Sequence, residues 1–255
     1  MTGILGEFRL DGKVAVLTGA SAGLGAGFAV ALAQAGSDVV ITSRRADMLD
    51  QVAEQVRGTG RRALPVTADI TDPAECARVA QAAADEFGRI DILVNNAGLG
   101  TAVPATRESP EEFRRVIDIN LMAAYWMAQA CIAHMPPGSS IVNVSSTLGL
   151  IPSRFPQAAY SASKAALLGL TRDLSAQWAG RRGVRVNALA PGYAATEMSA
   201  QVRPDLLEDF IASRSPLARL GEHREIQAAL VFLAAPASSY ITGTTLAVDG
   251  GMSAH

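Results

Sequence analysis

Apolar and polar positions follow one another along this chain in blocks of two kinds. Short runs rich in apolar and β-branched residues, at 13–18, 38–42, 62–67, 91–94, 139–145, 184–189 and 245–248, predict strands. Between them, apolar positions three and four apart predict helices at roughly 24–35, 45–57, 73–87, 109–134, 157–179 and 222–234. Strand and helix in turn predict an α/β fold, a doubly wound parallel sheet of about seven strands with helices on both faces. Right-handed crossovers then put the ligand crevice at the carboxyl ends of the strands.

Composition narrows the classes. The 255 residues, 49% hydrophobic and without a compositional break, suit a single domain over 1–255. A formal charge of −2 and the lack of a basic face argue against nucleic acid. No unbroken apolar run reaches the ~20 residues a bilayer span needs, and the acidic first dozen residues hold no signal-peptide core. A cytoplasmic protein with no membrane contact is expected. Cys76 and Cys131 lack metal spacing and make no disulfide scaffold, and His134, His223 and His255 are scattered, so no metal is expected.

Two motifs carry chemistry. The first is Gly19-Ala-Ser21-Ala22-Gly23-Leu24-Gly25, between the first strand and first helix. Strand, glycine turn, helix is a setting in which backbone N–H groups at a helix N-terminus can seat a pyrophosphate. Gly19 permits the turn, Gly23 the approach of phosphate, and Gly25 the packing of helix on strand. The second is Tyr160-Ser-Ala-Ser-Lys164, whose tyrosine and lysine share one helix face at i and i+4. An ammonium beside a phenol favours the phenolate and brings proton transfer toward the useful range. Ser146, at the end of IVNVSS, can hold a substrate oxygen next to that phenol. Ser145 competes for this role, since side chains alternate along a strand.

Together with Asp69-Ile70, Asn95-Asn96-Ala97-Gly98, Asn120 in DINL, Pro191-Gly192 with Thr196, and ITG…VDGG at 241–251, these motifs fall in order along nearly the whole chain. In that set the sequence resembles the classical short-chain dehydrogenase/reductase family, with its Rossmann-type fold. The resemblance implies an NAD(P)-dependent oxidoreductase that interconverts a secondary alcohol and a ketone by hydride transfer. It implies Tyr160 as general acid or base and Lys164 as its modulator and a contact of the nicotinamide ribose. It also implies Ser146 as holder of the substrate oxygen and Asn120 as support for a water linking Lys164 to solvent. The family's serine stands three residues before a glycine, as Ser146 does before Gly149; the segment from it to Tyr160 is slightly longer than usual. Asp69 and Ile70 would flank the adenine, Asn95, Ala97 and Gly98 the ribose, and Pro191, Gly192 and Thr196 the nicotinamide carboxamide.

Cofactor choice turns on Ser43-Arg44-Arg45 after the second strand. Two guanidiniums there suit a 2′-phosphate, so NADP is expected over NAD, although Ala22 stands where many NADP-preferring relatives carry a basic residue. The resemblance further implies a homotetramer or homodimer through the helices at 109–134 and 157–179, where Met122, Tyr125, Trp126 and Met127 extend the apolar surface. Segment 193–221 is read as a lid over the substrate, with Phe155, Tyr193 and Met198 as an apolar wall and Arg154 at a polar loop. Relatives of the 3-oxoacyl-carrier-protein reductase and gluconate-type dehydrogenase kinds stand nearest. The alternatives are a non-catalytic dinucleotide sensor and a Rossmann-like methyltransferase, neither of which needs a Tyr–Lys pair.

Overall fold

The computed structural model describes residues 3–194 and 210–254. Thr196, Met198, His255 and residues 195–209 of the expected lid lie outside them. Seven parallel strands form one sheet: β1 (Val14–Thr18), β2 (Asp38–Ser43), β3 (Ala63–Thr67), β4 (Ile92–Asn95), β5 (Ser140–Val144), β6 (Arg185–Pro191) and β7 (Thr245–Val248). Their order is β3-β2-β1-β4-β5-β6-β7. The order reverses between β1 and β4, and this switch point opens a crevice at the carboxyl ends. The predicted strands were all present, with ends shifted by a residue or two.

Among the described residues the helices of eight residues or more are α1 (Gly23–Gln34), α2 (Ala46–Arg57), α3 (Pro73–Phe87), α4 (Pro110–Ile117), α5 (Ala123–Cys131), α6 (Ala158–Arg182) and α7 (His223–Ala234). Local chemistry sets their ends. Asp72 caps α3 by accepting from Ala74 N at 2.8 Å, with Pro73 in the first turn. Ser109 and Glu112 form a capping box on α4, and Gly183 in the left-handed conformation closes α6.

One sheet face carries Leu17, Val39 and Ile41 against Phe28, Leu32, Leu49 and Leu230 of α1, α2 and α7. The other carries Val16, Val40 and Leu93 against Val79, Met127 and Leu174 of α3, α5 and α6. Strand alternation thus supplies a core to both helix layers.

The region 109–134 differs from the single helix expected. A π-helical turn, Asp118–Met122, separates α4 from α5, and a 3-10 turn covers Ile132–His134. Pro110–His134 as a whole is long and apolar enough to cross a membrane by length and composition, which a search for an unbroken apolar run passes over. Here it is a layer of the fold, with Ala123, Met127, Ala128 and Cys131 buried. Met127, expected to extend the apolar surface toward a partner, belongs to this core, while the Tyr125 and Trp126 rings meet at a tilt with centroids 4.9 Å apart and stay half-buried.

Candidate active site

The glycine turn after β1 is built by close backbone approach. Gly19 adopts φ +66, and a β-carbon on it would stand 2.7 Å from Ala97 Cα. Asn96 Nδ2 donates to Thr18 O at 3.0 Å and Gly19 O at 3.2 Å, tying this turn to the end of β4. A β-carbon on Gly25 would collide with Gly19 O, so the first turn of α1 must carry glycine there. Gly23, at φ +56, faces open space, and Ala22 supplies no side-chain cap. The first N–H groups of α1 therefore lack a side-chain acceptor and border a gap that a side chain on Gly23 would fill. That is what an anionic pyrophosphate requires. The residues present fit a dinucleotide.

Beyond the turn runs a cleft of about 430 Å³. Gly19, Ser21, Ala22, Gly23, Leu24 and Gly25 line one end with Ser43, Arg44, Arg45, Asp69 and Ile70. Ala97, Gly98, Ser146, Tyr160, Lys164, Pro191 and Gly192 line the rest. Arg45 donates to Ser21 Oγ through Nε at 3.1 Å and Nη2 at 2.9 Å. Arg44 is exposed, and its charge helps hold the Asp69 carboxyl low, behind the larger contribution of hydrogen bonds from Thr71.

Two expected residues do not line it. Asn95 turns into the sheet, donating to Ala124 O at 3.1 Å and Asn143 Oδ1 at 2.9 Å. Its neighbour Asn96 lines the cleft instead. Strand alternation is the signal that could have separated the two. Asn120, in the π-helical turn, is 1% exposed. Its Oδ1 accepts from Leu99 N at 2.8 Å, and its Nδ2 donates to Leu99 O and Ser163 Oγ, both at 2.9 Å. The side chain thereby ties the 98–99 segment to Ser163 of α6, with both of its N–H groups engaged. Leu99, Thr147 and Gln157 also line the cleft; they fall within 98–107 and 147–159, expected as pocket walls, but nothing in their local sequence singles them out.

Tyr160 and Lys164 project from α6 into the cleft, 8% and 4% exposed. Lys164 Nζ donates to Val144 O at 2.8 Å and stands 5.6 Å from the Tyr160 ring centre. A β-carbon on Gly98 would come within 3.3 Å of that ammonium. Burial lowers the Lys164 pKa to about 8. Burial also raises the Tyr160 phenol above its ordinary value, and a hydrogen bond from Ser146 opposes the rise. Burial, rather than the expected lowering by Lys164, thus sets the direction of the Tyr160 shift. Ser145 donates to Lys164 O at 2.7 Å, a bond into α6. Ser146 Oγ accepts from Leu148 N at 3.1 Å, which leaves its proton free to donate.

A phenol, a hydroxyl and an ammonium beside a dinucleotide cradle, at the carboxyl ends of a parallel sheet, define a nicotinamide-dependent oxidoreductase. A family profile described as Enoyl-(Acyl carrier protein) reductase matches residues 19–253. The galactitol 2-dehydrogenase (L-tagatose-forming) of Cereibacter sphaeroides is 43% identical over 96% of each chain. The 2-dehydro-3-deoxy-D-gluconate 5-dehydrogenase of Escherichia coli is 40% identical, over 97% of this chain and 98% of its own. A Beutenbergia cavernae structure with NADP bound at low occupancy, assigned as an NAD(P)-dependent gluconate 5-dehydrogenase, is 40% identical with TM-score 0.90, covering 98% of this chain and 100% of that one. The chain belongs to the short-chain dehydrogenase/reductase family. It is an NAD(P)-dependent oxidoreductase acting on CH–OH groups and the corresponding ketones.

Proposed function

We propose that the protein is an NADP-preferring secondary-alcohol dehydrogenase or ketone reductase in which Ser146, Tyr160, Lys164 and Asn120 form the catalytic set. One observation carries this reading: Ser146, Tyr160 and Lys164 line the same cleft as the glycine cradle. The nicotinamide, when bound, supplies or accepts the hydride. Ser146 donates to the substrate oxygen and holds it beside Tyr160. In reduction, the Tyr160 O–H gives its proton to that oxygen; in oxidation, the phenolate takes it back. A phenol held protonated by burial is already loaded for reduction. Below about pH 8 Lys164 is an ammonium, and in that state it stabilises the phenolate that reduction leaves behind. Lys164 would also hold the nicotinamide ribose. The side chain of Asn120 is spent on Leu99 and Ser163, so its support for a proton-carrying water falls to its main chain. Turns of the π type displace the regular carbonyl bonding and recur at functional sites.

Arg44 favours NADP, since a free guanidinium binds a 2′-phosphate through charge-assisted hydrogen bonds. Tyr193, which lines the cleft, packs against Phe210 at 5.6 Å, and Phe210 in turn meets Phe155 at 5.8 Å, with Ile151 alongside. This apolar wall favours a ketone flanked by a carbon chain or ring, as in an oxoacyl group, over a fully hydroxylated sugar; gluconate-type acids are the second class. We further propose a single cytoplasmic domain with a lid at 193–221, assembling as a homotetramer or homodimer through the outer faces of α5 and α6. The test follows reduced-nicotinamide absorbance, with NADPH and NADH for ethyl acetoacetate and 5-ketogluconate and with NADP+ and NAD+ for galactitol. Oxidation or reduction several-fold faster with the phosphorylated cofactor supports the reading. Equal rates with both cofactors remove the NADP preference, and faster turnover of the polyol than of the keto ester removes the substrate assignment.

A further inference from the structure

We propose that Asp249 is a positioning residue for Ser146, acting through the hydroxyl of Thr147. The inference rests on the reading that Ser146 holds the substrate oxygen. Ser146 begins a 3-10 turn, Thr147–Gly149, and the hydrogen bonds of that turn are local: Leu148 N to Ser146 Oγ, Gly149 N to Ser146 O, Leu150 N to Thr147 O. A turn held only by its own bonds can pivot as a body, and the serine would pivot with it.

Ser145 anchors the start of the turn, its N donating to Leu189 O and its Oγ to Lys164 O, both at 2.7 Å, and two further contacts hold the turn itself. On one side Gly149 lies flat on α6, where a β-carbon would stand 2.8 Å from Lys164 C and O. On the other, Thr147 Oγ1 donates to Asp249 Oδ2 at 3.1 Å across 102 residues of sequence. Thr147 is 1% exposed, so water does not readily substitute for that bond.

Asp249 is itself firmly held, just past the end of β7. Its Oδ1 accepts from Gly251 N at 3.0 Å and its Oδ2 from Ser253 N at 2.9 Å. Burial pushes this carboxyl up, but the bonds from Ser253, Thr147 and Gly251 outweigh it and hold the pKa below the ordinary value. An ionised carboxylate only accepts, so the Thr147 hydroxyl has one direction in which to donate. Asp249 also backs the other wall of the cleft: Gly192 N donates to Val248 O at 2.9 Å, and a β-carbon on Gly192 would stand 2.7 Å from Asp249 Cα. Asp249, through its carboxylate on one side and its backbone on the other, thereby registers the serine turn against the end of β6.

The test compares Asp249→Asn, Thr147→Val, Thr147→Ser, the Asp249→Asn/Thr147→Val double variant and Ser146→Ala. Two readouts are used: amide exchange at Leu148 in the ligand-free protein, and reduction of ethyl acetoacetate by NADPH. Asp249→Asn and Thr147→Val are each expected to speed Leu148 exchange and lower kcat, both about tenfold, with NADPH affinity unchanged. The double variant is expected to be no slower than either single, because both remove the same link. Thr147→Ser, which keeps the hydroxyl, recovers most of the loss. Wild-type Leu148 exchange in both singles, or losses that multiply in the double, overturns the proposal whatever the substrate. Ser146→Ala inactive beside fully active Asp249→Asn and Thr147→Val overturns the positioning alone. Ser146→Ala with wild-type kcat overturns the role of Ser146 and the positioning with it.

Discussion

The Lys164 ammonium sits 5.6 Å from the centre of the Tyr160 ring and donates at 2.8 Å to the carbonyl of Val144, at the end of β5. The bond fixes the amine beside the phenol but also shares its charge with the sheet. The phenol is left with burial as its main influence, which raises it above its ordinary value.

Replacing Tyr160 by Phe removes the transferable proton and leaves the ring in place. Turnover should fall by at least about a thousandfold, the upper part of the range for general acid–base catalysis. Dinucleotide affinity, read by fluorescence titration, should change less than about threefold, because the glycine cradle is untouched. A variant that keeps most of its activity would remove Tyr160 from the mechanism.

Stability should depend on pH through the same two residues, with opposite signs. Burial holds Lys164 at about 8, below its ordinary 10.5, so between these values the unfolded chain binds the extra proton and stability rises with pH. The penalty of the buried charge is therefore fully felt below about pH 8. Tyr160, raised by burial, keeps its proton where the unfolded chain loses one, and stability falls above about pH 10. Lys164→Met should melt above the wild type at pH 7, with the gap narrowing by pH 9.5. A gap constant in pH would contradict a desolvated lysine.

The two arginines after β2 should separate. Arg45 holds Ser21 of the glycine turn, so Arg45→Ala should weaken NADPH and NADH alike. Arg44→Ala should weaken NADPH by roughly 10–100-fold, the worth of a hydrogen bond to a charged group, and leave NADH unchanged. Equal losses for both dinucleotides in Arg44→Ala would dismiss a contact with the 2′-phosphate.

Two glycines of one turn should fail differently. Gly25→Ala drives a methyl group into Gly19 O and toward Asn96 Nδ2, so soluble folded protein should be largely lost. Gly23→Ala meets nothing within 4 Å and carries only the strain of a left-handed residue, about 1–2 kcal/mol. It should fold and lose dinucleotide binding. Near-normal affinity in Gly23→Ala would place the pyrophosphate elsewhere.

Much of this was legible in the sequence because its signals are local. Strand runs such as VAVLT, the glycine spacing and the i, i+4 pair at 160 and 164 each declare themselves within a few residues. What escaped depends on contacts distant along the chain. Asn95 and Asn96 are adjacent, yet Asn143 and Ala124 claim one while Thr18 and Gly19 claim the other. Ser145 and Ser146 separate only once Lys164 O takes the first hydroxyl. The lowered lysine and raised phenol come from burial, which no spacing reveals.

The widened turn at Asp118–Met122 carries one residue more than a regular helix would need there. Deleting that residue would straighten the rod from Pro110 to His134 and improve its own backbone bonding, yet rotate everything beyond it by about 100°. Met127 would swing out of the core, or Asn120 would leave Leu99. The bulge is thus a rotational joint, letting one rod serve the hydrophobic layer at one end and the reaction chamber at its middle.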